Sequence, residues 1–185
     1  MATQPQTGLT YEDLAAFPED NLRRELIGGE LIVTAALSTR HQRTVGELHG
    51  RLWLYSKEHG GAAFLAPTDV HLSGTDVLEP DVLFVTAAHQ DRVEEKFVRG
   101  APDIVVEVSS PTTRKLELVR KRELYESYGV PEYWYVDLDA DRIEVYRLGD
   151  NGRYPLPQLL GRSNTLTSSH LPGLSLAVSD ILGEP

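Results

Sequence analysis

Apolar and polar positions alternate early in this chain as they do in short strands, and then recur as they do in helices. Residues 23–27 and 30–34 lie on either side of Gly28-Gly29, and this arrangement predicts a β-hairpin. The next stretch predicts a helix from about Thr39 to Glu58, capped by Ser38 or Thr39. One apolar stripe of that helix consists of His41, Val45, Leu48, Leu52 and Tyr55.

Strands and a second long helix follow. The strands are predicted at 63–72, 82–85 and 104–108, and the polar stretch 91–100 is predicted to be an exposed loop or turn of helix. A helix is expected over 113–128, and Gly129 and Pro131 are expected to end it. Two more strands, at 133–137 and 142–148, are predicted to form a second hairpin. This order of elements predicts an α+β protein with a mixed central sheet and flanking helices.

The composition supports one globular domain and excludes several classes of protein. We expect a loose tail at 1–9 and a single domain at 10–185, because no linker divides the chain and 41% of its 185 residues are hydrophobic. The absence of cysteine excludes disulfides, thiolate zinc sites and a cysteine nucleophile. No apolar run is long enough to cross a membrane and no signal peptide is visible, so a cytoplasmic location is expected.

Charge is unevenly distributed along the chain. The formal net charge of −10 argues against strong non-specific binding of nucleic acid. Residues 112–123, however, contain five basic and two acidic side chains. A local basic strip of this kind can contact a phosphate, although it would not hold long DNA without other contacts.

Two carboxylates are predicted to meet at one end of the sheet. Asp81 begins an apolar strand, and Glu107 lies near the end of another. If these strands are antiparallel neighbours, the two acids and the backbone carbonyl of Val108 form an oxygen-rich site. Such a site suits Mg²⁺ or Mn²⁺, which take one or two carboxylates together with water and phosphate oxygens.

Each acid also has a simpler interpretation, in which it is a solvated charge at the end of a strand. That interpretation is weaker for Glu107, because it interrupts the apolar run Ile104–Val108, which is typical of a strand buried on both faces. A carboxylate in such a run is costly unless it is paired or bound to a metal.

Lys121 is expected to point inward from the second long helix. At about 100° per residue it shares an arc with Glu117, Leu124, Tyr125 and Tyr128. An ammonium aimed at the two carboxylates could position or help deprotonate an attacking water, or offset charge in the transition state. The alternative is a surface ion pair with Glu117, four residues earlier in the favourable order.

Several stretches resemble the Uma family of proposed endonucleases, which belongs to the PD-(D/E)XK superfamily. They are ELIGGEL, EPDVLFV, APDIVVEVSSPT and KRELYESYGVPEYWYVD, and the resemblance extends from about Thr10 to Leu182. It implies a restriction-endonuclease-like αβββαβ core, in which Pro80-Asp81 and Glu107 are the acidic motif. The superfamily's usual lysine position is Ser109 in this chain, and the resemblance implies that Lys121 replaces that lysine from the helix.

Three further residues are candidates at the same site. Glu30 resembles the family's hairpin glutamate and could add a metal ligand or orient a bound water, or it could be only a charge at a strand end. Glu25 is a weaker candidate of the same kind. His41 lies on the apolar stripe of its helix, so a buried, hydrogen-bonded core histidine is expected, although contact with a phosphate is possible.

Two functions from different classes follow from these residues. The first is a Mg²⁺- or Mn²⁺-dependent endonuclease in which Asp81, Glu107 and Val108 hold the metal, Lys121 acts on the water or phosphate, and Glu30 supports them. DNA is the substrate that the resemblance implies, and a homodimer would give a small acidic domain more surface for a duplex. The second is a non-catalytic binding or assembly module that retains the nuclease fold.

Overall fold

The computed structural model describes residues 7–18, 22–34, 38–110 and 114–184. Helices α1 to α4 are Tyr11–Ala15, Thr39–His59, Arg122–Ser127 and Val178–Leu182. A 3-10 helix spans Ala87–Arg92, and a π-helical segment at Leu116–Lys121 continues directly into α3. Strands β1 to β13 are Arg23–Ile27, Glu30–Thr34, Ala62–Leu65, Asp69–His71, Val77–Leu78, Val82–Val85, Phe97–Arg99, Ile104–Val108, Glu132–Asp137, Arg142–Arg147, Gln158–Gly161, Thr165–Thr167 and Ser175–Ala177.

A six-stranded mixed sheet forms the centre of the fold, as the pattern predicted. Its order is β11-β10-β9-β8-β6-β3, in which β8 and β9 are parallel and the other neighbours are antiparallel. Its central strands are apolar on both sides, and β6, β8 and β9 are buried along their whole length. This explains why their sequences are almost entirely apolar, with Glu107 as the interruption in β8 and an acid at each end of β9.

Each face of the central sheet packs against a different layer. One face contacts α2 and α4 through Val45, Leu48, Phe84, Trp134 and Ile181. The other face contacts the second sheet and α3 through a cluster that includes Val70, Leu78, Leu83, Tyr125 and Tyr133. A strand-end side chain that reaches past the sheet can therefore meet residues from either layer.

The second sheet has five strands in the order β2-β1-β5-β4-β7. The predicted hairpin is its edge: Ile27 pairs with Glu30, and Gly28 and Gly29 have φ of 59° and 74°, which is the left-handed turn that two glycines allow. The prediction of a single strand over 63–72 is wrong. The stretch is divided at Pro67, which has no N–H for a sheet ladder, so β3 joins the central sheet and β4 the second.

The two predicted long helices have different outcomes. The helix α2 begins after Ser38, whose hydroxyl accepts the N–H of His41, and its predicted stripe is buried up to Leu52. The second helix is not a regular α-helix, because residues 116–121 form the π-helical segment, and its predicted inward face is only partly right. Tyr125 is fully buried, whereas Tyr128 is 36% exposed.

Other parts of the sequence prediction differ from the structure or lie outside it. The stretch 91–100, expected as an exposed loop or a turn of helix, does contain the end of the 3-10 helix, but it also contains the unpredicted strand β7. Of the predicted tail, residues 1–6 lie outside the described residues, and Leu9 donates its N–H to the carbonyl of Gly29. Residue 113, the predicted start of the second helix, also lies outside them. No helix in the described ranges is long and apolar enough to cross a membrane.

Candidate active site

The register of β6 and β8 brings Asp81 and Glu107 to the same end of the central sheet. Val82 pairs with Val106 in this antiparallel ladder, so the next position places Asp81 opposite Glu107. The carboxylate of Asp81 accepts the backbone N–H of Val108 at 2.7 Å. The two acids predicted to meet therefore do so, and they are 1% and 0% exposed.

Asp81 links the two layers that cover the sheet. Its Oδ2 lies 3.1 Å from Nε2 of His41 on α2, and its Oδ1 accepts Nη1 of Arg23 on β1 at 2.7 Å. His41 is 2% exposed, as expected for a buried, hydrogen-bonded histidine. It fixes one oxygen of Asp81 and leaves the other directed towards Arg23.

Lys121 enters this cluster from the end of the π-helical segment. Its Nζ donates to Oε1 of Glu107 at 2.9 Å and lies 2.8 Å from Oε1 of Glu25. Tyr125, one turn later, donates its hydroxyl to the same oxygen of Glu107 at 2.9 Å. The side chain of Lys121 is 2% exposed, so the inward direction expected from the sequence is observed. Its ion-pair partners, however, are Glu25 and Glu107 rather than the expected pair of Asp81 and Glu107.

Glu25, and not Glu30, is the hairpin glutamate that contacts the cluster. Glu30 pairs with Arg120 at 2.7 Å, and its side chain is 37% exposed. Glu25 is 1% exposed, and in addition to Lys121 it accepts the N–H of Glu79 at 2.9 Å. The physical difference is position: Glu25 lies in the middle of a paired strand, whereas Glu30 is the first residue after the turn.

Arg23 was not singled out in the sequence, and it joins more acids than any other residue discussed at this site. Its guanidinium lies 2.7 Å from Asp81, 3.5 Å from Glu107 and 3.7 Å from Glu25. It also donates to the carbonyl of Glu79. The signal that could have found it is strand alternation, which puts Arg23 and Glu25 on one face of β1.

Burial and charge oppose each other in this cluster. Burial alone raises the pKa of Asp81, but the His41 hydrogen bond and the charge of Arg23 outweigh it and lower that pKa to about 2. For Glu107, burial prevails over Lys121 and Arg23, and its pKa is raised. Burial lowers the pKa of Lys121, but Glu107 and Glu25 overcome this effect and raise it, so Lys121 carries its proton at neutral pH.

The donor atoms fit a hard divalent cation. Asp81 Oδ1 and Glu107 Oε2 both face the guanidinium of Arg23, and Glu25 Oε2 is buried without a hydrogen-bond partner in the described residues. The Val108 carbonyl points to the Asp81 side of β8, because the N–H of the same residue does. No group of three or more His, Cys, Asp or Glu side chains in the described ranges is arranged to hold a metal. Two carboxylates, a carbonyl and water are nevertheless a usual set for Mg²⁺.

Comparisons with known proteins identify relatives of the whole fold. The family model Uma2, described as "Putative restriction endonuclease", matches residues 10–179. A solved structure described as "a putative nuclease belonging to DUF820 from Anabaena variabilis ATCC 29413" has a TM-score of 0.78 and 19% identity, over 94% of this chain and 97% of that chain. A comparison with curated proteins finds no match. The restriction-endonuclease-like α+β fold implied by the sequence is therefore confirmed.

Proposed function

Because the chain belongs to the Uma2 family of "Putative restriction endonuclease" proteins, we propose that it is a metal-dependent endonuclease that hydrolyses phosphodiester bonds in DNA. The observation that carries this proposal is the buried contact of Lys121 with Glu107, beside Asp81 at the same sheet end. Burying an ammonium and several carboxylates is expensive for a protein that needs only stability. A catalytic role accounts for that cost.

Each residue then has a defined role. Asp81 Oδ1, Glu107 Oε2 and the Val108 carbonyl would hold Mg²⁺ or Mn²⁺, which lowers the pKa of a bound water and offsets charge on the phosphate. Lys121 keeps its proton at Nζ, and its positive charge offsets the negative charge that grows on the phosphate oxygens. Glu25 and Tyr125 orient Lys121 and Glu107, and His41 orients Asp81.

The reaction is a direct displacement at phosphorus. A bond forms between the water oxygen and phosphorus while one P–O ester bond breaks; the attacking water gives up a proton to the surrounding solvent, and the leaving oxygen takes up a proton from it. Glu30 has no step in this scheme, because its observed partner is the exposed Arg120. DNA is the substrate that the family description favours, and the local basic strip rather than the net charge of −10 would contact its backbone.

The proposal is tested by measuring release of acid-soluble fragments from single- and double-stranded DNA with Mn²⁺, with Mg²⁺ and with a chelator. We expect cleavage that needs the divalent cation and that is lost in Asp81→Asn, which keeps the size of the side chain but removes its charge. Cleavage that persists in the chelator, or in Asp81→Asn, contradicts the proposal. Binding of Mn²⁺ and DNA without any cleavage would favour the alternative, a non-catalytic binding module.

A further inference from the structure

Each of the two carboxylates proposed to bind a metal has one oxygen directed outward, and Arg23 contacts both of these outward oxygens. On Asp81, Oδ2 is taken by His41 and by the N–H of Val108, and on Glu107, Oε1 is taken by Lys121 and Tyr125. The remaining oxygens, Asp81 Oδ1 and Glu107 Oε2, face the two terminal nitrogens of Arg23. A cation that used these oxygens would have to displace the guanidinium.

Arg23 is also the more accessible of the two cations. Its side chain is 12% exposed, whereas that of Lys121 is 2% exposed. Arg23 therefore lies between the buried acids and solvent, on the side from which a metal ion and a phosphate must approach. Lys121 remains on the inner side of Glu107 and does not compete for the outward oxygens.

Charge balance indicates what Arg23 does after displacement. Arg23 also lies 3.5 Å from the carboxylate of Glu79, so Arg23 and Lys121 balance only two of the four carboxylates Glu25, Glu79, Asp81 and Glu107 when all are ionised. A divalent cation would supply the missing positive charge, which leaves the guanidinium free to pair with a phosphodiester. A guanidinium released beside the metal is suited to hold that phosphate, because its fork of donors matches two phosphate oxygens.

We propose that Arg23 occupies the cation position of the site in the metal-free protein and becomes a ligand of the substrate phosphate once a divalent cation binds. This inference rests on the proposed function. It assigns Arg23 two states, one on the outward oxygens of Asp81 and Glu107 and one on the phosphate. Metal binding and the Arg23–carboxylate contacts exclude each other.

The first test measures Mn²⁺ affinity by calorimetry, without any cleavage assay, for the wild type, Arg23→Gln and Arg24→Gln. Arg24 is the matched control, because it is the next residue on the same strand and its guanidinium lies over the ring of Phe17. Arg23→Gln should tighten Mn²⁺ binding by about tenfold, since a charged competitor is removed. It should also weaken binding of a short labelled duplex in Ca²⁺, whereas Arg24→Gln should change Mn²⁺ affinity little.

Unchanged or weaker Mn²⁺ binding in Arg23→Gln overturns this inference and leaves the proposed function standing. Absence of Mn²⁺ binding in both proteins overturns the two together. If Arg23→Gln does not fold, the wild-type protein is tested by NMR of its arginine Nε–H groups during a Mg²⁺ titration. The Arg23 signal, assigned by its absence in Arg23→Lys, should shift as Mg²⁺ binds. A signal that stays unchanged while Mg²⁺ binds overturns the inference.

Discussion

Lys121 is a buried ammonium whose charge is matched by two buried carboxylates, and its removal has two expected effects. Lys121→Met should abolish DNA cleavage, because it removes the positive charge proposed to offset the negative charge on the phosphate oxygens. It should also lower the free energy of unfolding by about 3 kcal/mol, since Glu25 and Glu107 lose their shared partner. Cleavage assays and chemical denaturation measure the two effects.

Lys115→Met is the matched control, because Lys115 is exposed and lies just before the same helical segment. It should change stability by less than about 0.5 kcal/mol and keep cleavage. Equal loss of activity in both variants would indicate a general basic strip, and full activity in Lys121→Met would exclude Lys121 from the mechanism.

The partly buried carboxyl of Asp69, on β4, should make the free energy of unfolding depend on pH. Burial, with a smaller contribution from Glu25, raises its pKa to about 6. A raised carboxyl pKa means that ionisation is harder in the folded protein, so stability is lost as pH rises from the ordinary pKa through about 6. Asp69→Asn should therefore stabilise the protein by roughly 1 kcal/mol at about pH 8, allowing for its partial exposure. Chemical denaturation at about pH 4 should show little difference, and equal stabilisation at both pH values would refute this origin.

The sequence predicted the burial of Glu107, and its meeting with Asp81 at one sheet end, because an apolar strand surrounds Glu107 and follows Asp81. Glu107 interrupts a fully apolar strand and Asp81 begins one, so their positions in the sequence already indicated a special environment. Arg23 and Glu25 were harder to identify, because β1 is short and its residues alternate without a clear apolar face. Only pairing across the sheet, with Glu25 opposite Ile32, distinguishes the buried glutamate from the exposed Glu30.

At the scale of elements, the junction between α2 and β3 depends on a glycine. Gly61 has φ of +87°, and an added Cβ would lie 2.5 Å from the carbonyl oxygen of Val85. Gly61→Ala should therefore lower the free energy of unfolding by about 2–3 kcal/mol, through the left-handed backbone and the clash. Thermal or chemical unfolding measures the effect.

The same substitution inside α2 should act in the opposite direction. At Gly46 an added Cβ meets nothing within 4 Å, and its φ is not in the left-handed region. Gly46→Ala should raise stability by about 0.5–1 kcal/mol, because alanine is the better helix former. If both alanine variants were destabilising, the local backbone argument would be incorrect.

Elements were predictable where the local pattern and the tertiary structure agree. The hairpin at Gly28-Gly29 and the helix capped by Ser38 satisfy local rules alone. The division of the predicted strand at Pro67 depends on two sheets that compete for neighbouring residues, which a period-two pattern does not reveal. The π-helical segment is also a tertiary effect: Glu117, Lys121 and Tyr125 are all buried, four residues apart, while Tyr128 is displaced to the surface.

For the whole molecule, a bound divalent cation should increase stability. The folded chain gathers Asp81, Glu107 and the Val108 carbonyl, which the unfolded chain separates, so Mn²⁺ should bind the folded state preferentially. At a free Mn²⁺ concentration of about a hundred times the dissociation constant, this preference should raise the free energy of unfolding by about 2.7 kcal/mol and the melting temperature by roughly 5–10 °C. Differential scanning calorimetry measures the shift, and Asp81→Asn should remove most of it. An equal shift in that variant would place the metal elsewhere.

The homodimer remains a prediction. A single acidic domain offers limited surface to a duplex, so two copies would provide two sites for its two strands. Sedimentation equilibrium should give a mass of twice the 20.6 kDa chain at assay concentrations. A monomer mass in both the presence and absence of DNA would contradict this expectation.

The site spans two sheets, and this has a consequence for how the chain folds. Arg23 and Glu25 come from the five-stranded sheet, whereas Asp81 and Glu107 come from the end of the six-stranded sheet. An intermediate with only the larger sheet formed would hold Asp81 and Glu107 side by side without Arg23, and their repulsion would slow its formation. Since protonation removes that repulsion, refolding followed by stopped-flow tryptophan fluorescence should be faster in mild acid, and Asp81→Asn should lose the acceleration. The charges proposed to make the site reactive would thus also delay its assembly until the β1–β2 hairpin packs against the larger sheet.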